Sequence, residues 1–225
     1  MALHTFLNSI SSEPLHVLSE AILISQYVKL NLSEDNEALK QVDVSSPKHL
    51  GNFINQIKAE NNALVAFGGY KEVRGIYRRS NHFSNPEQER NIHLGVDLWI
   101  DANTPIFAPL DGRVHSFKNN INFGDYGPTI ILEHTVNNIV FHTLYGHLSL
   151  QSIQQLKVGK TFVKGEPIAT LGDETVNGNY PPHLHFQIIK DLQGCLGDYP
   201  GVCSKKDLNF YSENCPDPNI LLKLT

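Results

Sequence analysis

From Ala63 onward the chain is a succession of short β-type runs separated by Gly, Pro and Asn. That punctuation limits what it can fold into. The runs are "ALVAFGG", "HLGVDLWI", "TPIFAPLDGRVHSF", "PTIILEH", "IVFHTLYGHL", "EPIATLGD" and "HLHFQII". Each is rich in β-branched or aromatic residues and bounded by turn formers, which is the pattern of strands. Parallel neighbours need long crossover segments, and none intervenes here, so antiparallel pairing is expected. The predicted class is mainly β, with an antiparallel sheet groove or sandwich over residues 63–193.

Residues 1–62 have a different texture and read as a helical N-terminal segment. "EPLHVLSEAILISQYVKL" places Leu15, Leu18, Ala21, Ile22 and Ile24 at helix-like spacing. "SSPKHLGNFINQIKAENN" opens with a Ser cap and Pro47 in the first turn, then puts Leu50, Phe53, Ile54 and Ile57 on one stripe. The polar stretch between the two reads as irregular. Residues 194–225 form a Pro- and Gly-punctuated tail expected to pack on the β domain. The cysteines (Cys195, Cys203 and Cys215) are odd in number and lack a C-x-x-C, so reduced thiols are expected over a disulfide or a thiol metal site.

Eighteen Lys and Arg against 23 Asp and Glu leave a net charge of −5, with no polybasic run, which argues against nucleic acid or an anionic membrane as partner. No apolar run approaches the roughly 20 residues that span a bilayer. The opening stretch lacks a basic n-region followed by an apolar core. A cytoplasmic location is therefore the expectation for the chain as written, with a secreted or periplasmic one left open.

The 11 histidines direct attention to metal or proton chemistry. "HLGVD" offers His93 and Asp97, both good ligands for a first-row metal. On an ideal strand their Cα atoms would lie about 13 Å apart, too far to share an ion, but Gly95 between them allows a bend or bulge. "HLH" offers His183 and His185, two apart and so on one face of a strand. "YGHLS" puts His147 at a strand end. Together they fit a catalytic zinc, which keeps three protein ligands and one open position. His93 and Asp97 supply two ligands and one histidine of the H-x-H pair the third. The other, with His147, is left for proton transfer or for stabilising an oxyanion. Taken singly, each motif more often marks packed or surface side chains than a functional site.

The order "HLGVD", "ANTPIFAPLDGRV", "YGHLS", "KGEPIATLGD", "PPHLHFQI" resembles the lysostaphin-type (LytM-like) zinc metallopeptidases over residues 66–190. The resemblance implies a β-sheet groove holding one Zn2+ and hydrolysis of peptide bonds in peptidoglycan-like peptides. It implies His93, Asp97 and His185 as zinc ligands, and His147 and His183 as the catalytic pair. "GGYKEVRGIYRRSNHF" ahead of "ERNIHLGVDLW" is also similar to a branch in which such a module is fused to an aminotransferase-like domain. By the same resemblance, Asn81 or His82 could reach the open metal position from upstream.

Tyr145, Tyr180 and Arg78 are the candidate substrate contacts. Tyr145 neighbours His147, and Tyr180 belongs to a "YPP" rim bulkier than the family's usual small residues. Arg74, Arg78 and Arg79 suit a substrate carboxylate, with a solvated face as the plain alternative. Trp99 is expected to pack, and His115 and His142 to be wall residues. Two other functions remain in view: an intracellular zinc hydrolase of a small amide, and a non-catalytic regulatory or interaction module on the same scaffold. Residues 1–62 could dock a protein partner.

Overall fold

The computed structural model describes residues 3–79 and 89–224. Its frame is an eight-stranded sheet in the order β1-β2-β4-β11-β8-β7-β6-β9. These strands are β1 (Tyr27–Lys29), β2 (Val65–Gly68), β4 (Val96–Trp99), β6 (Gly112–Asn120), β7 (Gly127–Val136), β8 (Ile139–Gly146), β9 (Thr161–Phe162) and β11 (His183–Ile189). The one parallel pair in this sheet is β1 with β2, at the edge; the other neighbours are antiparallel. Two small antiparallel sheets flank it: β5 (Pro105–Phe107) with β10 (Pro167–Thr170), and β3 (Ile92–His93) with β12 (Val202–Cys203). The chain is therefore mainly β, as its punctuation requires.

Strand alternation divides the central strands between two jobs. Leu184, Phe186 and Ile188 of β11 join Val96 and Leu98 of β4 in the main core, with Phe141 and Tyr145 of β8. Ile106, Ala108, Ile168 and Leu171 from the small sheet and its borders pack into the same cluster. The intervening residues, Asp97, Trp99, His183, His185 and Gln187, face the other way. Both faces of β11 are buried along its whole length.

Helix α2 (Pro47–Glu60) forms where its sequence pattern puts it: Ser46 accepts from the His49 amide at the cap, Pro47 starts the helix, and Leu50 and Ile54 are buried. Residues 13–30 are not the helix that their spacing suggested. After α1 (Leu3–Ile10) the chain runs irregularly through bends and a turn, passes a short 3-10 turn at Ile24–Gln26 and enters β1. Leu15, Val17 and Leu18 are nonetheless buried and belong to the same main core as Phe141 and Ile188. Pro14 at the start of this stretch and backbone pairing explain the outcome. The Leu15 amide donates to the Leu221 carbonyl, and the Leu64 amide donates to the Gln26 carbonyl. Burial and sheet pairing outweigh a weak helical periodicity.

The remaining helices are short: α3 (Gln151–Gln154), α4 (Leu208–Asn214) and α5 (Asn219–Leu222). Cys195, Cys203 and Cys215 are free thiols. No helix among the described residues is long and apolar enough to cross a membrane. Because Leu18 is 1 % exposed within the main core, Leu18→Ala should cost about 2–5 kcal/mol. Urea unfolding measures this, and a loss below about 0.5 kcal/mol, the range of ordinary surface substitutions, would show that the segment does not share the core.

Candidate metal centre

The chain separates into β3 and β4 at Leu94–Gly95, and this break brings the ends of "HLGVD" together. His93 ends β3, paired with Val202, while Asp97 lies on β4 directly opposite His185 of β11. A Cβ on Gly95 would lie 2.5 Å from His185 Cε1, so no larger residue fits beneath that ring. The result is one cluster in which the ligand atoms of His93, Asp97 and His185 all lie within 4.8 Å of one another. His93 Nε2 is 2.9 Å from His185 Nδ1 and 3.3 Å from Asp97 Oδ1, and His185 Nδ1 is 3.2 Å from the same oxygen. Atoms each about 2.0–2.1 Å from a tetrahedral ion stand a little over 3 Å apart, so the spacing suits zinc.

The positions of the protons sharpen this fit. His93 Nδ1 faces the Gly69 carbonyl at 3.0 Å, which can only accept, so Nδ1 carries the hydrogen and Nε2 presents a lone pair. Gln187 turns its amide nitrogen toward the Pro200 carbonyl and Cys215 Sγ, leaving Oε1 to accept from His185 Nε2 at 2.9 Å. His185 Nδ1 is then the lone-pair nitrogen. Two bare nitrogens and a carboxylate oxygen therefore converge in a buried space, a donor set that fits a divalent cation. Burial, then the Arg74 guanidinium, pushes the His93 imidazole down to about 4, which keeps it neutral and able to ligate. Burial alone would raise the Asp97 carboxyl, but His93 and Arg74 hold it well below the usual carboxylate range.

His147 and His183 stand beside this cluster with ring centroids 4.1 Å apart. His147 follows Gly146, which is opposite His185, and adopts a left-handed φ of 63°. This costly conformation for a non-glycine residue ends the strand and turns the ring into the site. Gly146 has no room for a side chain, since its Cβ would sit 2.7 Å from the Tyr126 ring. His147 Nδ1 donates to the Asn177 carbonyl and His183 Nδ1 to the Pro181 carbonyl, so Nε2 is the lone-pair nitrogen on each. Trp99 stacks on His183 at 3.9 Å, the packing role its sequence suggested. Burial lowers both imidazoles, His183 to about 4; for His147 the neighbouring His183 adds to the effect.

A cleft of about 380 Å³ opens over these residues, walled among others by Tyr77, Tyr126, Tyr180 and Leu196. Tyr180 borders it, as its rim position implied. Its hydroxyl donates to the Gly124 carbonyl, tying the loop before β11 to the loop before β7. Tyr145 is a correction. It is fully buried, packs on Phe186 and takes a hydrogen bond from Thr143, because alternation along β8 sends it to the core face, away from His147. Arg74 is also a correction to the carboxylate-binding and solvated readings: it is buried and bonded to Asp97. Asn81 and His82 lie outside the described residues, as does the side chain of Arg78.

Tyr126, Asn177 and Gln187 were not singled out by sequence. Gln187 was within reach of the alternation rule, two residues from His185 on the same face. Asn177 holds the loop that serves both outer histidines, with its side chain bonded to the Tyr180 amide and carbonyl. No local pattern marked it.

Residues 91–195 match the model of Peptidase family M23. They are a Peptidase family M23 domain. Over 95 residues, 42% of this chain, the sequence is 36% identical to an uncharacterized metalloprotease of Haemophilus influenzae, and the match spans 18% of that protein's length. Among solved structures, the chain is similar to the catalytic domain of the antimicrobial peptidase lysostaphin from Staphylococcus simulans. The identity is 21%, covering 72% of this chain and 97% of that one, at a TM-score of 0.42. It is also similar to a zinc-containing peptidase from Vibrio cholerae, 28% identical over 44% of this chain and 27% of that one, at a TM-score of 0.36.

The lowered imidazoles have a consequence for stability. In the unfolded chain His93 and His183 return to about 6.5, whereas in the metal-free folded protein they sit at about 4. Between those values the unfolded state binds more protons, so stability is full above about 6.5 and falls as pH drops toward 4. The thermal midpoint of the metal-free protein should therefore decrease from pH 7 to pH 5. His183→Gln should flatten that slope, and an unchanged slope would count against a neutral buried His183.

Proposed function

We propose that this chain is a zinc-dependent endopeptidase acting on peptidoglycan-like peptides. The observation that carries this reading is the convergence of His93 Nε2, Asp97 Oδ1 and His185 Nδ1, lone pairs without an intervening proton, on one buried point beside an open cleft. His93, Asp97 and His185 would hold the zinc. When bound, the ion would supply Lewis acidity and lower the pKa of water toward neutrality.

The other residues of the site handle protons and position the substrate. His147 and His183 each have Nδ1 committed to a carbonyl, so each meets the substrate first as a proton acceptor at Nε2. One of them takes the proton from the attacking water. The resulting imidazolium then returns a proton to the leaving amine, the usual pairing of general base and general acid. The partner ring, 4.1 Å away, lies beside the carbonyl oxygen as charge develops there. Trp99 and Tyr180 fix the plane of His183, and Tyr126 walls the side next to His147 and His185.

The reading separates two sets of variants. The parent should carry stoichiometric zinc by elemental analysis, and His93→Ala, Asp97→Ala and His185→Ala should lose it. His147→Ala and His183→Ala should keep zinc while turnover of peptidoglycan-type peptides, followed by mass spectrometry, falls by about 10²–10⁴-fold. A His183→Ala protein without metal would overturn the division of roles. A zinc-loaded parent that cleaves small soluble amides but no such peptide would move the substrate to the small-amide class.

A further inference from the structure

The two oxygens of Asp97 have different surroundings. Oδ1 faces His93 and His185, whereas Oδ2 accepts from Arg74 Nη1 at 2.5 Å. Arg74 is 3 % exposed, and its other contacts are as specific. Its Nε donates to Glu72 Oε2 at 2.6 Å and Nη1 also reaches the Tyr77 hydroxyl at 3.2 Å. Glu72 Oε1 in turn accepts from the Leu32 backbone amide at 2.9 Å. A continuous chain of polar contacts thus runs from Leu32, in the N-terminal segment, through Glu72 and Arg74 to Asp97. The backbone is fitted around it: a Cβ on Gly69 would lie 2.0 Å from Arg74 Nη2.

We propose that Arg74 is a positioning residue of the metal centre. It occupies Asp97 Oδ2 so that the carboxylate offers the metal one oxygen only, and Glu72, anchored by the Leu32 amide, holds Arg74 in that pose. The proposal rests on the reading of His93, Asp97 and His185 as metal ligands. A carboxylate with both oxygens free can bind an ion through both. A catalytic zinc site has three protein ligands and must leave one position for water or substrate. An Asp97 that bound through two oxygens would compete for that position. Arg suits the task because its planar fork reaches Glu72 on one side and Asp97 on the other while remaining charged. The buried cation is itself stabilised by the two carboxylates that flank it, without which its burial would be strongly unfavourable.

The test uses the whole chain, stripped of metal and titrated with cobalt(II), whose visible bands are intense in four-coordinate sites and weaker in five-coordinate ones. Folding of each variant is checked by circular dichroism. The parent should give the intense four-coordinate bands. Arg74→Met should give the weaker five-coordinate bands and bind cobalt(II) about 10–100-fold less tightly, the usual cost of losing an outer partner of a metal ligand. Arg74→Lys should restore part of the band intensity, and Glu72→Gln should shift the spectrum in the same direction as Arg74→Met, by less. A folded Arg74→Met protein with the parent's spectrum and affinity overturns the proposal. If Arg74→Met does not fold, a parent-like Glu72→Gln spectrum overturns it instead. A parent that takes up no cobalt(II) overturns the metal-centre reading itself, which separates the two failures.

Discussion

The site depends on backbone carbonyls that hold imidazole protons away from it. Gly69, Pro181 and Asn177 each present an oxygen to the Nδ1 of one histidine, and Gln187 Oε1 does the same for Nε2 of His185. A carbonyl cannot donate, so each contact settles a tautomer without help from any ligand. The inner nitrogens of His93 and His185 are thereby left bare, facing Asp97. In a buried space this crowd of acceptors is unfavourable by itself, and a cation would relieve it. The fold supplies the enclosure: β11 is covered on both faces, so the core packing of Leu184 and Phe186 fixes the height at which His183 and His185 stand on the other side.

Charge follows the same logic. Asp97, Arg74 and Glu72 alternate in sign from the His93–Asp97–His185 cluster outward, and the last contact is made by the Leu32 amide. The N-terminal segment therefore belongs to the site's surroundings as well as to the core. Leu30 and Leu32 pack with Trp99, Tyr77 and Tyr180, three of the aromatic residues that line the cleft.

Much of this was legible before the structure. Breakers and β-branched runs located the strands, because turn chemistry is local. Ser46 and Pro47 located α2 for the same reason. Three separated motifs pointed to a shared metal site, and Gly95 suggested how the backbone could bring His93 to Asp97. Residues 13–30 misled because an apolar residue at helical spacing looks the same whether it faces a helix stripe or plugs a core from an irregular segment. Tyr145 misled because adjacency in sequence to His147 is adjacency across a strand, and neighbours on a strand face opposite ways. Arg74 and Asn177 could not be assigned by any periodicity, since their roles come from contacts 23 residues away in one case and from loop geometry in the other.

The loop from Gly172 to Pro182 has one further implication. It carries both carbonyls that orient His147 and His183, and Asn177 cross-braces it internally. The two outer histidines thus share one loop as a support, whereas His93, Asp97 and His185 stand on β3, β4 and β11. Damage to that loop would misplace both outer histidines at once while the inner cluster kept its own scaffolding. The supports of the outer histidine pair and of the inner cluster are separately breakable parts of one small site.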